Sequence, residues 1–170
     1  MLHSFRLDRL LTLYRARFLR HRRDRKPFLP ILMYHSISDD PESGVHGYYR
    51  VTTSPARFRE QMLWLKDHGY NTVTLEDGLN RLKIKPSDPV SAFRDRNVVL
   101  TFDDGYLDFM IHAWPILEEF GMTATVFLPT GFIGNQPKTF KGRECLTWQL
   151  VRELHDQGIS FGSHTVNHVQ

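Results

Sequence analysis

The stretch that most constrains this chain is Val98-Val99-Leu100-Thr101-Phe102-Asp103-Asp104-Gly105, an unbroken apolar and β-branched run that stops at two adjacent carboxylates and a glycine. Such a run fits a strand covered on both faces, the usual state in parallel α/β sheets. In those sheets the reactive groups lie at the C-terminal ends of the strands. Neighbouring side chains on an extended backbone point to opposite sides, so one Asp can ligate a metal while the other meets a water or a substrate proton. Gly105 allows the sharp turn that must follow. An Asp pair also suits a helix N-cap, and only groups elsewhere in the chain separate the two roles.

Those groups lie near the end of the sequence. Ile159 to Phe161 reads as a strand, and Gly162-Ser163-His164-Thr165-Val166-Asn167-His168 follows it. Two histidines four apart reach one metal if the backbone makes a helical turn there, and the pair starts at a strand's C-terminal end, as Asp104 does. One Asp and two His form the ligand set of a catalytic divalent metal that keeps positions open for water. Cys145 is the only cysteine, which excludes a disulfide scaffold and a Cys-based zinc site. The expected cofactor is a divalent metal on Asp104, His164 and His168, zinc first, with cobalt, nickel or iron as alternatives.

The rest of the body alternates strands with helices. Pro30 to His35 is a short apolar strand ending at a histidine. Ser54-Pro55 then opens a helix whose apolar face is Phe58, Met62 and Leu65, and Gly69 ends it. Asn71 to Leu75 reads as a strand, Glu76 to Leu82 as a short helix and Lys85 to Arg96 as a polar loop. Asp108 to Phe120 forms a helix that Pro115 kinks or delays, with Gly121 just past its end. Thr123 to Leu128 is a fourth strand, Pro129 to Gly142 a loop, and Thr147 to His155 a capped helix before the fifth strand. This order predicts α/β architecture built from parallel βα units. Gly131-Phe132-Ile133-Gly134 lacks the Lys and spacing of a phosphate loop.

With 41% apolar and 24% charged residues among 170, the chain is long enough for one domain with a real core. Its charge is uneven. Residues 1–26 hold eight Arg and one Lys against Asp8 and Asp24, a net of +7, which leaves −4 elsewhere. Leu7, Leu10, Leu11, Tyr14, Phe18 and Leu19 recur there at helical spacing among Arg6, Arg9, Arg17 and Arg20, so residues 1–26 read as a basic amphipathic arm and 27–170 as the folded body. The arm suits an anionic membrane surface, or it packs on the body with a solvated Arg face. Without stacking aromatics it makes a poor nucleic-acid binder, and no nucleic-acid partner is expected. No apolar run of seven residues precedes Arg15, so neither a signal peptide nor a membrane span is expected. The corresponding location is cytoplasmic, peripheral on the inner membrane face if the arm binds lipid.

Taken together, these motifs resemble a known family. Thr101-Phe102-Asp103-Asp104-Gly105 is similar to the first motif of the NodB-like polysaccharide deacetylases, carbohydrate esterase family four, and His164-Thr165-Val166-Asn167-His168 to their second. Leu32-Met33-Tyr34-His35-Ser36-Ile37 and the segment from Ala124 to Gly134 also look like this family, so the resemblance runs over about residues 30–168. It implies a partial (β/α) barrel of about five parallel strands with flanking helices, incomplete at the C-terminus. It also implies removal of N-acetyl groups from a polysaccharide or oligosaccharide, with Asp104, His164 and His168 on the metal and Asp103 as general base toward the activated water. The family's later Arg, Asp-Trp and Leu-x-His segments have no counterpart here. In relatives with permuted motif order the acid histidine sits in an N-terminal strand, which implies His35 as the general acid.

A chain of this kind is expected to be a poor enzyme by itself and to associate through its open barrel edge. Two other classes stay open at this point: a non-catalytic, carbohydrate-binding or partner-assembled remnant of the fold, and a magnesium-dependent phosphoryl-transfer enzyme built on Asp103 and Asp104. The last would give His164 and His168 no role.

Overall fold

The structure, a computed structural model, describes residues 28–83 and 96–168. The basic arm at 1–26 and nearly all of the polar loop expected at 85–96 lie outside the described residues. Among the described residues no helix is long and apolar enough to cross a membrane.

Five parallel strands form the main sheet: β1 (Ile31–Tyr34), β4 (Asn71–Val73), β5 (Asn97–Phe102), β6 (Thr125–Leu128) and β9 (Ser160–Ser163). Val99 pairs with both Ile31 and Val73, and Phe102 with both Tyr34 and Val126. A strand has two edges, so β1 takes one edge of β5 while β4 and then β6 share the other. This makes β5 the centre of the sheet, and its residues Val98 to Phe102 are all buried. The expectation of a strand covered on both faces holds for that reason. β9 continues the sheet beyond β6, with Thr125 opposite Ser160 and Leu128 opposite Ser163. The sheet is not closed: among the described residues no strand pairs with the outer edge of β1 or of β9.

The register separates the two faces. Leu32, Tyr34, Val98, Leu100, Phe102, Val126, Leu128 and Phe161 belong to the main core, with Phe58, Met62 and Leu65 of α1 (Pro55–Asp67) and Ile116 and Leu117 of α3 (Trp114–Phe120). Val151 and Leu154 of α4 (Trp148–Asp156) join them. Phe102 anchors this layer, with the rings of Tyr34, Phe58 and Phe109 at 5.3, 5.7 and 4.8 Å. The opposite face is sparser. There Thr125 Oγ1 meets Ser160 Oγ at 2.7 Å, and Ile31 and Met33 stay 50% and 64% exposed. At its lower end α2 (Leu75–Lys83) brings Gly78 against Leu29 and Val99.

The expected helix starts are where the caps put them. Ser54 Oγ accepts from the Arg57 amide at 3.3 Å, with Pro55 as first helical residue. Thr147 Oγ1 accepts from the Leu150 amide at 3.4 Å. The expected kink at Pro115 takes a specific form: a π-helical turn, Phe109–Ala113, precedes α3. Proline has no N–H to continue the i→i−4 ladder, and the wider turn accommodates the gap. Gly121 then ends the helix in the left-handed conformation, φ 66°.

Two features were not expected. Ser36–Ile37 (β2) pairs in parallel with Thr52–Thr53 (β3), so a second strand, absent from the expected order, begins just past His35, where the expected first strand ends. The loop expected over 129–142 also contains a 3₁₀ turn, Thr130–Phe132, and the first strand of an antiparallel hairpin, β7 (Thr139–Phe140) with β8 (Arg143–Glu144). Its two turn residues, Lys141 and Gly142, both have positive φ, 50° and 78°, the geometry that matches hairpin twist. A groove of about 900 Å³ runs along the outer side of β1, lined by Leu32, Tyr34, Gln61, Trp64 and Tyr70, and includes none of the candidate site residues.

Candidate metal and catalytic site

All the candidate residues sit on one rim, at the C-terminal ends of β1, β5 and β9. Tyr34 and Phe102 are register partners and the Asp103 amide donates to the Tyr34 carbonyl at 2.9 Å. The next residues, His35 and Asp103, therefore emerge side by side. His35 Nε2 lies 3.9 Å from Asp103 Oδ2, with both side chains partly open to solvent. That separation is too long for a hydrogen bond.

Asp104 turns the other way. Its backbone is left-handed, φ 71°, and Gly105 follows at φ 56°, so the chain reverses tightly and drives the Asp104 carboxylate inward until it is 1% exposed. A Cβ on Gly105 would meet Leu128 Cδ2 at 2.7 Å, which keeps that position a glycine on two counts. Asp104 Oδ1 faces His168 Nε2 at 3.2 Å and His164 Nε2 at 3.6 Å. Neither contact has hydrogen-bond geometry, and the oxygen is a buried acceptor with no hydrogen-bond partner. One ligand atom from each of the three residues lies within 4.8 Å of the others.

The histidines reach that point by a different backbone path from the one expected. Residues 165–167 form a turn, but Thr165 and His168 are left-handed, φ 63° and 53°, so this is no helical turn. The loop after β6 holds it: the Thr130 and Gly131 amides donate to the Thr165 and Val166 carbonyls at 3.1 and 2.8 Å. A Cβ on Gly131 would meet the Val166 carbonyl oxygen at 2.7 Å. The two imidazoles end with centroids 4.9 Å apart.

Three further residues complete the surroundings. The Tyr106 hydroxyl donates to Asp104 Oδ2 at 3.0 Å, and burial together with the Asp104 charge raises its pKa. Lys141, half-exposed in the hairpin turn, places Nζ 3.6 Å from Asp104 Oδ2 and 3.5 Å from His168 Nε2, over the Phe140 ring. Arg143, from the same hairpin, holds the loop that follows His35. Tyr106, two residues after Asp104, could have been singled out from its position. Lys141 and Arg143 carry no local signal and come to the site only through the hairpin.

The donor set fits a divalent cation. A buried carboxylate oxygen without a hydrogen bond, faced by two imidazole nitrogens, is costly unless a cation occupies the space between them. Imidazole and carboxylate together suit zinc and its neighbours better than magnesium, which prefers oxygen ligands alone.

Comparison with known proteins agrees with this geometry. Residues 91–170 match the family profile described as polysaccharide deacetylase. The candidate polysaccharide deacetylase YxkH of Bacillus subtilis is 36% identical over 144 residues, covering 84% of this chain and 44% of YxkH. The poly-beta-1,6-N-acetyl-D-glucosamine N-deacetylase of Escherichia coli K12 is 34% identical over 146 residues, 80% of this chain and 20% of that protein. Among solved structures, IcaB from Ammonifex degensii superposes with a TM-score of 0.64 at 25% identity, covering 81% of this chain and 53% of IcaB. The Streptococcus pyogenes deacetylase PplD, solved with acetate, gives 0.63 at 31% identity over 83% of this chain and 57% of PplD. The chain thus spans less than half of YxkH and a little over half of the two solved proteins. Shared sequence over most of its length, and the same partial α/β fold, make the chain similar to the polysaccharide deacetylases.

Proposed function

We propose that the protein is a metal-dependent hydrolase that removes N-acetyl groups from a polysaccharide, cleaving a carbon–nitrogen bond that is not a peptide bond. The observation that carries this reading is the buried Asp104 Oδ1 facing His164 and His168, one residue away from the Asp103 and His35 pair. Asp104, His164 and His168 would hold the metal, zinc first. A cation held there supplies concentrated positive charge, which makes a water more acidic and the acetyl carbonyl more electrophilic.

The chain's own groups do the proton work. Asp103 takes a proton from the attacking water as its oxygen bonds to the acetyl carbon. His35 gives a proton to the sugar nitrogen as the C–N bond breaks, so the products are acetate and a free amine. Imidazole is suited to that donation near neutral pH. The 3.9 Å gap between the two groups leaves each able to meet a substrate atom. Relatives named for poly-beta-1,6-N-acetyl-D-glucosamine favour an N-acetylglucosamine polymer as substrate. A phosphoryl-transfer site on the Asp pair is disfavoured, because it would leave the two converging histidines without a purpose.

The test is deacetylation of an N-acetylglucosamine oligomer by the intact protein, read as acetate released. Activity removed by a chelator and restored by zinc or cobalt is expected. Metal-independent release, or release unaffected by His164→Ala, contradicts the reading.

A further inference from the structure

The cluster around Arg143 lies outside the candidate ligands and the proton-transfer pair, yet it bonds the side chain of Ser36, which follows His35, and sets Arg143 over the ring of Tyr106. Its guanidinium, 18% exposed, donates through Nη1 to Ser36 Oγ at 2.6 Å and Ser38 Oγ at 3.3 Å. Through Nη2 it donates to Asp40 Oδ2 at 2.8 Å and Thr52 Oγ1 at 3.0 Å. Glu42 Oε1 stands 3.6 Å away, while Glu42 Oε2 accepts from the Val51 and Thr52 amides at 2.9 and 3.1 Å. Fully buried Ser36 in turn donates to Asp108 Oδ2, which lies 3.9 Å from Arg143 Nη1. Burial raises the Asp108 pKa, and Ser36, the Ile37 amide, Arg143 and His112 draw it back.

His35 lies between two anchors. On one side Tyr34 is tied to β5; on the other Ser36 is tied to Asp108 and Arg143. We propose that Arg143 is a positioning residue for the leaving-group step: by fixing Ser36 it fixes the backbone that aims His35 at the departing nitrogen beside Asp103. This rests on the reading of His35 as proton donor. The guanidinium serves four acceptors at once, Ser36 and Ser38 from one terminal nitrogen and Asp40 and Thr52 from the other, more than the three donors on the single nitrogen of a lysine can reach. Without it Asp108 loses its counter-charge and the loop after His35 loses its common tether. A displacement of about 1 Å at a reacting group costs on the order of a hundredfold in rate.

Leaving-group chemistry separates this role from a merely structural one. An amide nitrogen must be protonated to leave, whereas 4-nitrophenyl acetate releases a stable phenolate without a proton donor. In the metal-loaded intact protein, Arg143→Gln should therefore lower the ratio of oligomer to aryl acetate turnover by about tenfold or more, chiefly through kcat. His35→Ala should lower the same ratio, and adding Arg143→Gln to His35→Ala should lower it no further. Equal loss on both substrates, or an additive double variant, overturns the proposal. If His35→Ala leaves the ratio unchanged, the acid assignment fails first and this inference falls with it. Should Arg143→Gln not fold, as judged by its thermal melt, Ser36→Ala removes one hydroxyl of the same chain. The ratio must fall for that variant too, and an unchanged ratio overturns the proposal.

Discussion

Asp103 and Asp104 are chemically identical neighbours whose surroundings differ, and the roles proposed for them rest on that difference. Asp103 stays in register with β1 and faces His35 at the open rim; Asp104, in a left-handed turn, is buried against Tyr106 and two histidines. Asp103→Asn should therefore leave metal content unchanged while lowering kcat by about 10²–10⁴-fold, the usual worth of a general base. Metal analysis beside turnover checks this, and retained turnover contradicts it. Lys141 makes a prediction of opposite sign. Its ammonium touches two candidate ligands, so a metal there must displace or tolerate a like charge. Because the side chain is half-exposed, the effect is modest: Lys141→Met should tighten zinc binding by roughly two- to fivefold in competition with a chelating dye.

At the scale of elements, the site depends on strand ends held by packing behind them. Phe102, wedged among Tyr34, Phe58 and Phe109, fixes the strand that delivers both Asp residues, and Phe102→Ala should cost about 3–5 kcal/mol in urea unfolding. The histidine loop depends on Gly131, where a Cβ would strike the Val166 carbonyl. Gly131→Ala should move that loop and weaken zinc binding while the melting temperature changes little; unchanged affinity would show that the loop adapts. Much of this level is legible in the sequence. Ser54-Pro55 and Thr147 mark helix starts because capping is local chemistry, and Val98 to Phe102 reads as a central strand because every residue is apolar or β-branched. The Asp104, His164 and His168 set is legible from their shared place after strands. The hairpin at 139–144 is not, since its strands are two residues each and Lys-Gly is a weak turn signal. Lys141 and Arg143 are lost with it. The left-handed path from His164 to His168 is set by the loop after β6, a tertiary contact that local sequence does not encode.

Across the whole molecule, the expected alternation of strands and helices gives the expected parallel sheet because a helix crossover is what returns the chain to start a parallel strand. The sheet stays open, and the exposure of Ile31 and Met33 on its sparse face is the apolar cost of that openness. Burial also sets an alkaline limit on stability. The Cys145 thiol is pushed up to about 11, by burial first and then by the Asp104 charge; burial alone raises the Tyr34 phenol to about 12. Both groups ionise earlier in the unfolded chain, so the folded state binds more protons there. Their contribution to stability is full below about pH 9 and falls as pH rises toward 11, by about 2–3 kcal/mol for Cys145. Melts between pH 8 and 11 should show the fall, and Cys145→Ala should flatten its first part; a flat profile in the parent protein contradicts the burial argument.

The central claim is that Asp104, His164 and His168 form one metal centre, and zinc titration of the intact protein by calorimetry tests it most directly. One equivalent should bind, and Asp104→Asn or His168→Ala should each weaken binding by roughly a hundredfold or more, since even outer-shell partners are worth 10–100-fold. No saturable binding, or binding that survives both substitutions, would contradict the account.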